Sequence, residues 1–204
     1  VVEQDPHPGG PAYAFKRRGF TFPMGPLGFS NPAIVQDILK ETGIDESLDL
    51  KRVYYRLRAF GLKVPLSLPY PEMVGELTSL FPEEEGGIRR FFDEMHKISR
   101  LLDNKDEDQD EEAGGLMAAS AADYLNDLID DRRLRRILGS MGTREPYSGL
   151  PLLVAMWDLL CEKGIHYPAR GMRHLCEILA KPLAGSEGAG ELMLSARVSG
   201  IAIE

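Results

Sequence analysis

The residue types that most often carry out chemistry are few in this chain of 204 residues, which has two cysteines and four histidines. Cys161 and Cys176 each lie within an apolar helical pattern, and neither has a histidine or a second cysteine at metal-ligand spacing. Reduced thiols inside a core are therefore expected, which is typical of a cytoplasmic protein. His96 is expected at an exposed edge of a helix, and His166 and His174 lack the serine or cysteine partner of a nucleophile. We predict no metal site, and we name no catalytic acid or base.

The charge of the chain excludes one class of partner. The formal net charge is −8, whereas binding to nucleic-acid phosphates requires a basic surface, so no nucleic acid is expected. Part of the negative charge is concentrated in the run DNKDEDQDEE at residues 103–112. This run lacks the glycine and the terminal glutamate spacing of a calcium loop, and a solvated acidic loop is therefore predicted.

Apolar residues at helical spacing predict that most of the middle of the chain is helical. Helices are expected to begin at Asn31, Pro71 and Ser120, and the clearest one covers residues 88–102. The first of them should bury Ile34, Val35, Ile38 and Leu39. Residues 151–163 are apolar on almost every side, which indicates a helix that is buried all round or lines an apolar cavity. This apolar run is too short to span a bilayer.

Strand-type sequence occurs at both ends of the chain and in two hairpins. One hairpin is predicted to turn at Arg18–Gly19, and the other to pair residues 52–60 with 62–68. The chain opens with VVE and closes with ELMLSARVSGIAIE, both of which are typical of strands. An α+β fold is therefore predicted, in which one domain is interrupted by another.

Four stretches carry a resemblance to a known family. The opening VVEQDPHPGGPAYAF resembles the segment after the first βα unit of flavin-dependent amine-oxidase-like enzymes, where a strand ends in an acidic residue and leads to a Pro-Gly-Gly turn. The later stretches are similar, in the same order, to motifs of the phytoene desaturase branch, which includes carotenoid desaturases, carotenoid isomerases and retinol saturases. They are RGFTFPMGPLGF, ELTSLFPEEEGGIRRFFDEM, and GIHYPARGMRHLCEILAKPL followed by ELMLSARVSGIAIE.

The resemblance implies an FAD-dependent oxidoreductase, which would be a desaturase, a saturase or an isomerase of an apolar isoprenoid or polyene. Glu3 would accept hydrogen bonds from the adenosine ribose hydroxyls, and Gly9 and Gly10 would let the backbone approach the pyrophosphate. Gly25 and Pro26 would line the cofactor, and Val198 would meet the adenine through its backbone.

The same resemblance implies a domain layout. Residues 1–30 would form part of an FAD-binding α/β domain, residues 31–164 a mostly helical substrate-type domain with β-hairpins, and residues 165–204 a return to the FAD-binding domain. A polyene needs an apolar tunnel more than charged residues, so Met156 and Trp157 are candidates to line one, although core packing is their commoner role. The expected partner is an apolar small molecule, together with a peripheral contact to a membrane surface.

Several residues depart from the family pattern. Pro11 replaces the arginine or lysine usual after the glycine pair, Pro23 replaces an aspartate, and Arg170 replaces a glycine. No glycine-x-glycine-x-x-glycine occurs, and GSEGAG at 185–190 precedes a strand rather than joining strand to helix. We therefore expect a fragment of a larger enzyme that is inactive alone and binds FAD weakly or not at all. A non-catalytic lipid- or partner-binding module, and an amine or porphyrinogen oxidase relative, are the alternatives.

Overall fold

The computed structural model describes residues 1–25, 28–103, 115, 118–141, 149–183 and 190–203. The chain forms two compact units, of which the first contains residues 1–52 and 165–204 and the second residues 53–164. The first boundary thus falls after Arg52, whereas the sequence placed a domain change near residue 30. The assignment of these units to flavin and substrate domains stays a prediction.

The first unit contains the predicted N-terminal hairpin. A 3-10 turn, Gly10–Ala12, leads into β1 (Ala14–Arg17), which pairs antiparallel with β2 (Phe20–Pro23). Between the strands, Arg18 and Gly19 adopt positive φ angles of 50° and 83°. Two central residues with positive φ match the right-handed twist of a two-residue hairpin. The predicted turn position is therefore confirmed.

Helix α1 (Pro32–Glu41) begins as predicted, because the Asn31 side chain accepts a hydrogen bond from the Ile34 amide at 3.3 Å. Its predicted apolar face is partly wrong. Leu39 is 2% exposed, but Ile34 and Ile38 are 54% and 45% exposed. The helix turns its Val35 and Leu39 side towards the core of the first unit instead. That core also contains Leu48, Leu175 and Ile178.

The rest of the first unit comes from both parts of the chain. Strand β3 (Leu50–Val53) pairs with β6 (Ile165–Pro168), and helix α7 (Met172–Ala180) follows and ends in a 3-10 turn, Lys181–Leu183. The expected C-terminal strand is wrong for the described residues 190–203, which contribute only an isolated parallel bridge between Val2 and Met193.

The second unit is mostly helical. Its hairpin joins β4 (Arg56–Ala59) to β5 (Leu62–Pro65), so the two strands are shorter than predicted. The helices are α2 (Tyr70–Leu80), α3 (Glu85–Asp103), α4 (Ala121–Leu128), α5 (Arg132–Leu138) and α6 (Leu150–Asp158), the last continued by a π-helical turn, Leu159–Lys163. Helices and small antiparallel sheets together confirm the predicted α+β class.

The core of the second unit forms where α3 packs against α6. The predicted stripe on α3 is buried, and it consists of Ile88, Phe91, Phe92, Met95 and Ile98. Trp157 of α6 meets Phe91 and Phe92 edge-on, with ring centroids 5.9 Å and 5.5 Å apart. Trp157 is fully buried, and its indole N–H donates to the Leu138 carbonyl at 2.9 Å, so it is a core residue rather than a channel wall.

Helix α6 is not buried on every side, because Leu152 is 49% exposed. Among the described residues, no helix combines the length and apolar character needed to cross a membrane. Both cysteines are free, as predicted, and Cys161 is buried. The acidic run at 103–112 lies outside the described residues, apart from Asp103.

Candidate functional site

The candidate site begins where the N-terminal segment pairs with residues 191–196 in the first unit. The Glu3 amide donates to the Met193 carbonyl at 2.8 Å, and the Ala196 amide donates to the Glu3 carbonyl at 2.9 Å. The half-buried Glu3 side chain accepts a hydrogen bond from the Asp5 amide at 2.9 Å. Its carboxylate is therefore held by its own loop at the end of a short paired segment.

The glycines of this region pack closely, and the packing explains two of them. Gly9 has a φ of 101°, and a Cβ added there would lie 2.8 Å from the Cys176 Cβ and closer still to its Sγ. A Cβ on Gly25 would lie 2.5 Å from the Pro11 carbonyl oxygen. Gly10 has a φ of 46° and open space within 4 Å. Only Gly10 of these three leaves room for a ligand to approach its backbone.

The structure thus brings five of the six predicted cofactor-binding residues into one unit. Gly9 and Gly10 lie on the turn that contains Pro11, and Gly25 packs on that same turn. Val198 is 59% exposed and follows the segment that pairs with Glu3. Pro26 lies outside the described residues. The roles implied for all six residues stay predictions.

A cleft of about 490 Å³ lies beside this turn within the first unit. One wall comes from the N-terminal hairpin, and the other comes from β6, the turn after it and the first half of α7. Its charged lining residues are Lys16, Arg170, Arg173 and Glu177, and His174 also lines it. The cleft is therefore mainly basic, in a chain whose net charge is −8.

Arg173 connects α7 to the glycine turn. Its guanidinium carbon lies 4.9 Å from the centre of the Tyr13 ring, whose plane stacks on His7 with centroids 3.6 Å apart. The Arg173 Nε also donates to a Glu177 carboxylate oxygen at 2.6 Å, and this hydrogen bond raises the pKa of Arg173. Arg173 thus lies beside the turn that contains Pro11 and is ion-paired with Glu177 there.

Glu46 organises the other basic groups at the cleft. Its carboxylate lies 2.7 Å from the Lys181 ammonium, 3.1 Å from the His174 imidazole and 3.6 Å from the Arg170 guanidinium. The Lys181 hydrogen bond is the main cause that lowers the pKa of Glu46. Glu46 therefore positions Arg170, the residue that departs from the family pattern.

The sequence analysis missed Tyr13, Arg173 and Glu46 as parts of this site. One signal was available, because Arg173 and Glu177 stand at i and i+4 on an otherwise apolar helix, a spacing typical of an ion pair. Nothing local identified Tyr13 or Glu46, since both owe their place to contacts with residues far along the chain.

The second unit holds a separate cavity of about 600 Å³. Tyr70, Val74 and Phe92 form its apolar part, and Arg89, Asp93, His96 and Glu162 are its charged or titratable lining residues. The Tyr70 amide donates to Glu162 at 2.8 Å, and burial raises the pKa of the Tyr70 phenol. His96 is exposed, as expected. Within the described part of the chain, no group of three metal-ligating side chains occurs.

Comparisons with known proteins give matches along the whole chain. The family described as flavin containing amine oxidoreductase matches residues 1–204. The chain is 27% identical over 236 residues to the chloroplastic prolycopene isomerase of Daucus carota, a match that covers 100% of this chain and 38% of the carrot protein. It is 32% identical over 112 residues to the chloroplastic prolycopene isomerase of Arabidopsis thaliana, which covers 51% of this chain and 19% of that protein.

A solved structure of putrescine oxidase bound to putrescine has the same fold. The TM-score is 0.61 at 17% identity, and the match covers 96% of this chain and 44% of the oxidase. At this identity the likeness concerns the fold alone. The chain spans about two fifths of the length of the carrot relative. The two isomerases are named as chloroplastic, which differs from the cytoplasmic location that the cysteines suggested.

Proposed function

Because the chain belongs to the flavin containing amine oxidoreductase family, we propose that the full-length protein is an FAD-dependent enzyme that acts on an apolar polyene. The resemblance found in the sequence motifs is confirmed by the family match and by the prolycopene isomerase relatives. One observation carries the choice of substrate class, which is the 27% identity to a prolycopene isomerase along the whole chain.

The residues present fit the adenosine and pyrophosphate end of a flavin dinucleotide. Glu3 offers a carboxylate at the end of a paired segment, Gly10 has open space beside its backbone, and Arg173 places a cation near the glycine turn. A carboxylate can accept hydrogen bonds from ribose hydroxyls, and an open glycine and a nearby cation suit a pyrophosphate. A bound flavin would supply the electron and hydride chemistry that no side chain here provides.

An apolar substrate fits a sequence in which we name no catalytic acid or base. The chain then has to bind, orient and shield the substrate rather than move protons. The amine oxidase neighbour shares the fold at 17% identity, which carries no information about substrate. We therefore place a polyene ahead of an amine.

The non-catalytic module remains the second hypothesis, because Pro11, Pro23 and Arg170 depart from the family pattern. Arg173 weakens this alternative, since it places a cation near the glycine turn. The gene sequence upstream of Val1 separates the two hypotheses. An intact glycine-x-glycine-x-x-glycine favours the enzyme, and a broken one favours the module.

The test uses the purified full-length gene product. We expect flavin absorbance and, with prolycopene as the polyene, a change in its isomer or saturation pattern on chromatography. A colourless protein that takes up no added FAD would contradict the proposal. Turnover of amines with release of peroxide, and none of polyenes, would reverse the choice of substrate.

A matched pair of variants of the full-length protein tests the predicted ribose contact. Glu3→Gln should lower the affinity for FAD by about tenfold or more, because a hydrogen bond to a charged group contributes about 1.5–3 kcal/mol. Asp5→Asn is the control, since Asp5 holds Glu3 through its backbone amide and keeps that amide in the variant. Equal affinities of Glu3→Gln and Asp5→Asn would remove Glu3 from the site.

A further inference from the structure

One face of helix α7 contacts both ends of the glycine turn, which is here defined as residues 9–13. At the first end, Cys176 packs directly against Gly9. At the other end, the Arg173 guanidinium lies over the Tyr13 ring. Arg173 and Cys176 stand three residues apart on α7, so they belong to the same face of the helix. A single element therefore packs on the turn where it begins and where it ends.

The backbone of the glycine turn has much conformational freedom of its own. Gly9 and Gly10 are consecutive and have φ angles of 101° and 46°, and glycine loses more freedom on ordering than any other residue. Two backbone hydrogen bonds close the turn, from the Ala12 amide to the Gly9 carbonyl at 2.9 Å and from the Tyr13 amide to the Gly10 carbonyl at 3.1 Å. Contacts from α7 therefore add order to a segment whose sequence favours many conformations.

Tyr13 is the residue through which Arg173 reaches the turn. The Tyr13 ring stacks on His7 with centroids 3.6 Å apart and planes 4° apart, and the Arg173 guanidinium carbon lies 4.9 Å from its centre. The same guanidinium donates to Glu177 at 2.6 Å. Because Glu177 matches the charge of Arg173, the pair brings little net charge to a nearby pyrophosphate. Its main contribution is the position of Tyr13.

Gly10 is the part of the turn that this packing leaves accessible. Among the described residues, none lies within 4 Å of a Cβ added at Gly10, whereas the corresponding place at Gly9 is filled by Cys176. The ends of the turn are thus packed and its middle is open. A binding segment that is ordered beforehand binds more tightly, because less conformational entropy is lost on association.

We propose that helix α7 holds the glycine turn in the conformation that opens the Gly10 backbone, through Arg173 on Tyr13 and Cys176 on Gly9. Arg173 is then a positioning residue for the cofactor and not a direct ligand of its pyrophosphate. That Gly10 meets a flavin dinucleotide rests on the proposed function. The contact of α7 with the turn does not, so the two can fail separately.

The first experiment measures amide hydrogen exchange by NMR in this chain, without flavin. Arg173→Met should raise the exchange rate of the Ala12 amide roughly two- to fivefold, which corresponds to the loss of one cation–π contact at a partly exposed site. The Ile44 amide, which donates to the carbonyl of buried Leu39 in the same unit, should exchange at its original rate. Opening of the turn alone changes only the first amide, whereas unfolding of the unit changes both.

Two further variants show whether the Tyr13 ring is the contact that matters. Tyr13→Phe keeps the ring and should leave the exchange of the Ala12 amide unchanged, whereas Tyr13→Leu should raise it as Arg173→Met does. Arg90→Met is the matched control on α3, because Arg90 donates through Nε to Glu94 at i+4, as Arg173 does to Glu177, but lies in the other unit. This control should not change the exchange of the Ala12 amide.

The second experiment measures the dissociation constant of FAD in the full-length protein. Arg173→Met should weaken binding roughly two- to fivefold, and it should cause no further loss when Tyr13 is already leucine. A direct ligand of the pyrophosphate would instead lose the same factor in both backgrounds. The double-mutant cycle therefore separates a positioning role from a direct contact.

Three results would overturn the proposal. They are an Ala12 amide whose exchange neither Arg173→Met nor Tyr13→Leu changes, an equal acceleration at Ile44, and losses of FAD affinity that are independent in the double-mutant cycle. A full-length protein that takes up no FAD would contradict the proposed function, and the exchange measurements would still decide whether α7 holds the turn.

Discussion

Gly9 shows how one residue is constrained from two sides at once. Its φ of 101° disfavours any side chain, and Cys176 occupies the place that a Cβ would take. Gly9→Ala should therefore lower the free energy of unfolding by at least about 2 kcal/mol, through backbone strain and overpacking together. Urea unfolding followed by circular dichroism measures the loss.

Gly10→Ala is the matched control for this prediction. Gly10 also has a positive φ, of 46°, but nothing lies within 4 Å of its added Cβ. Gly10→Ala should therefore lower the free energy of unfolding by only about 1 kcal/mol, through backbone strain alone. Adding Cys176→Ala to Gly9→Ala should recover part of the loss, and equal costs at the two glycines would show that Cys176 does not constrain the turn.

At the scale of the element, Asp131 begins α5. Its carboxylate accepts hydrogen bonds from the Arg133 and Leu134 amides at 2.7 Å and 3.3 Å. The Arg133 side chain, which also bonds to it, is the main cause that lowers the pKa of Asp131 from 3.8 to about 2. The folded state therefore favours the ionised carboxylate. The resulting stabilisation is complete above the unfolded value and is lost as pH falls towards the folded value.

Asp131→Ala should lower the free energy of unfolding by about 1 kcal/mol near neutral pH, which is typical of the loss of a helix N-cap. The difference from the unaltered chain should shrink as pH falls below about 4, where the carboxyl group becomes protonated. Urea titrations at several pH values measure this. Asp131→Asn keeps the cap without the charge and should lower the free energy of unfolding by less. A loss in Asp131→Ala that does not change with pH would contradict the prediction.

Helix α6 allows a comparison of two large apolar residues on one element. Trp157 is fully buried against α3 and donates to the Leu138 carbonyl, whereas Leu152 is 49% exposed. Trp157→Ala should cost about 3–5 kcal/mol in the free energy of unfolding, while Leu152→Ala should stay within about 0.5 kcal/mol. Unfolding midpoints of both variants test this, and a large cost at Leu152 would show that its face of α6 is covered in solution.

At the scale of the whole molecule, the chain carries only part of what a flavin dinucleotide needs. The pyrophosphate of such a cofactor is usually held at a helix N-terminus after a glycine-rich turn, and the sequence contains no glycine-x-glycine-x-x-glycine. Glu3 offers a contact to its ribose, and Gly10 offers only open space beside the backbone for its pyrophosphate. We therefore expect this chain alone to bind FAD more weakly than micromolar, since few contacts must offset the entropy cost of association.

Calorimetry with FAD on the 204-residue chain is the measurement. Denatured chain is the control for nonspecific heat. A micromolar or tighter dissociation constant would contradict the prediction, and it would mean that the basic cleft with Arg173 holds the cofactor better than its contacts suggest.

The sequence alone determined the features that depend on residues close together in the chain. The hairpin turn at Arg18–Gly19, the caps at Asn31 and Ser120 and the buried stripe of α3 were all predictable, and the structure confirms them. Each follows from backbone preference, from a side chain that bonds an amide three residues on, or from the period of the helix. The family motifs of the candidate site were visible for the same reason, because they are runs of neighbouring residues.

Only the tertiary structure decided what depends on distant partners. Strand β3 pairs with β6 from the far end of the chain, whereas the strand-like sequence after residue 190 finds no ladder to complete among the described residues. Ile34 and Ile38 stay exposed because the core of the first unit lies on the other side of α1. Arg173 reaches Tyr13, and Cys176 reaches Gly9, only once α7 packs on the N-terminal turn. Local patterns specify an element and its apolar face, but which neighbour covers that face depends on contacts between residues far apart in the chain.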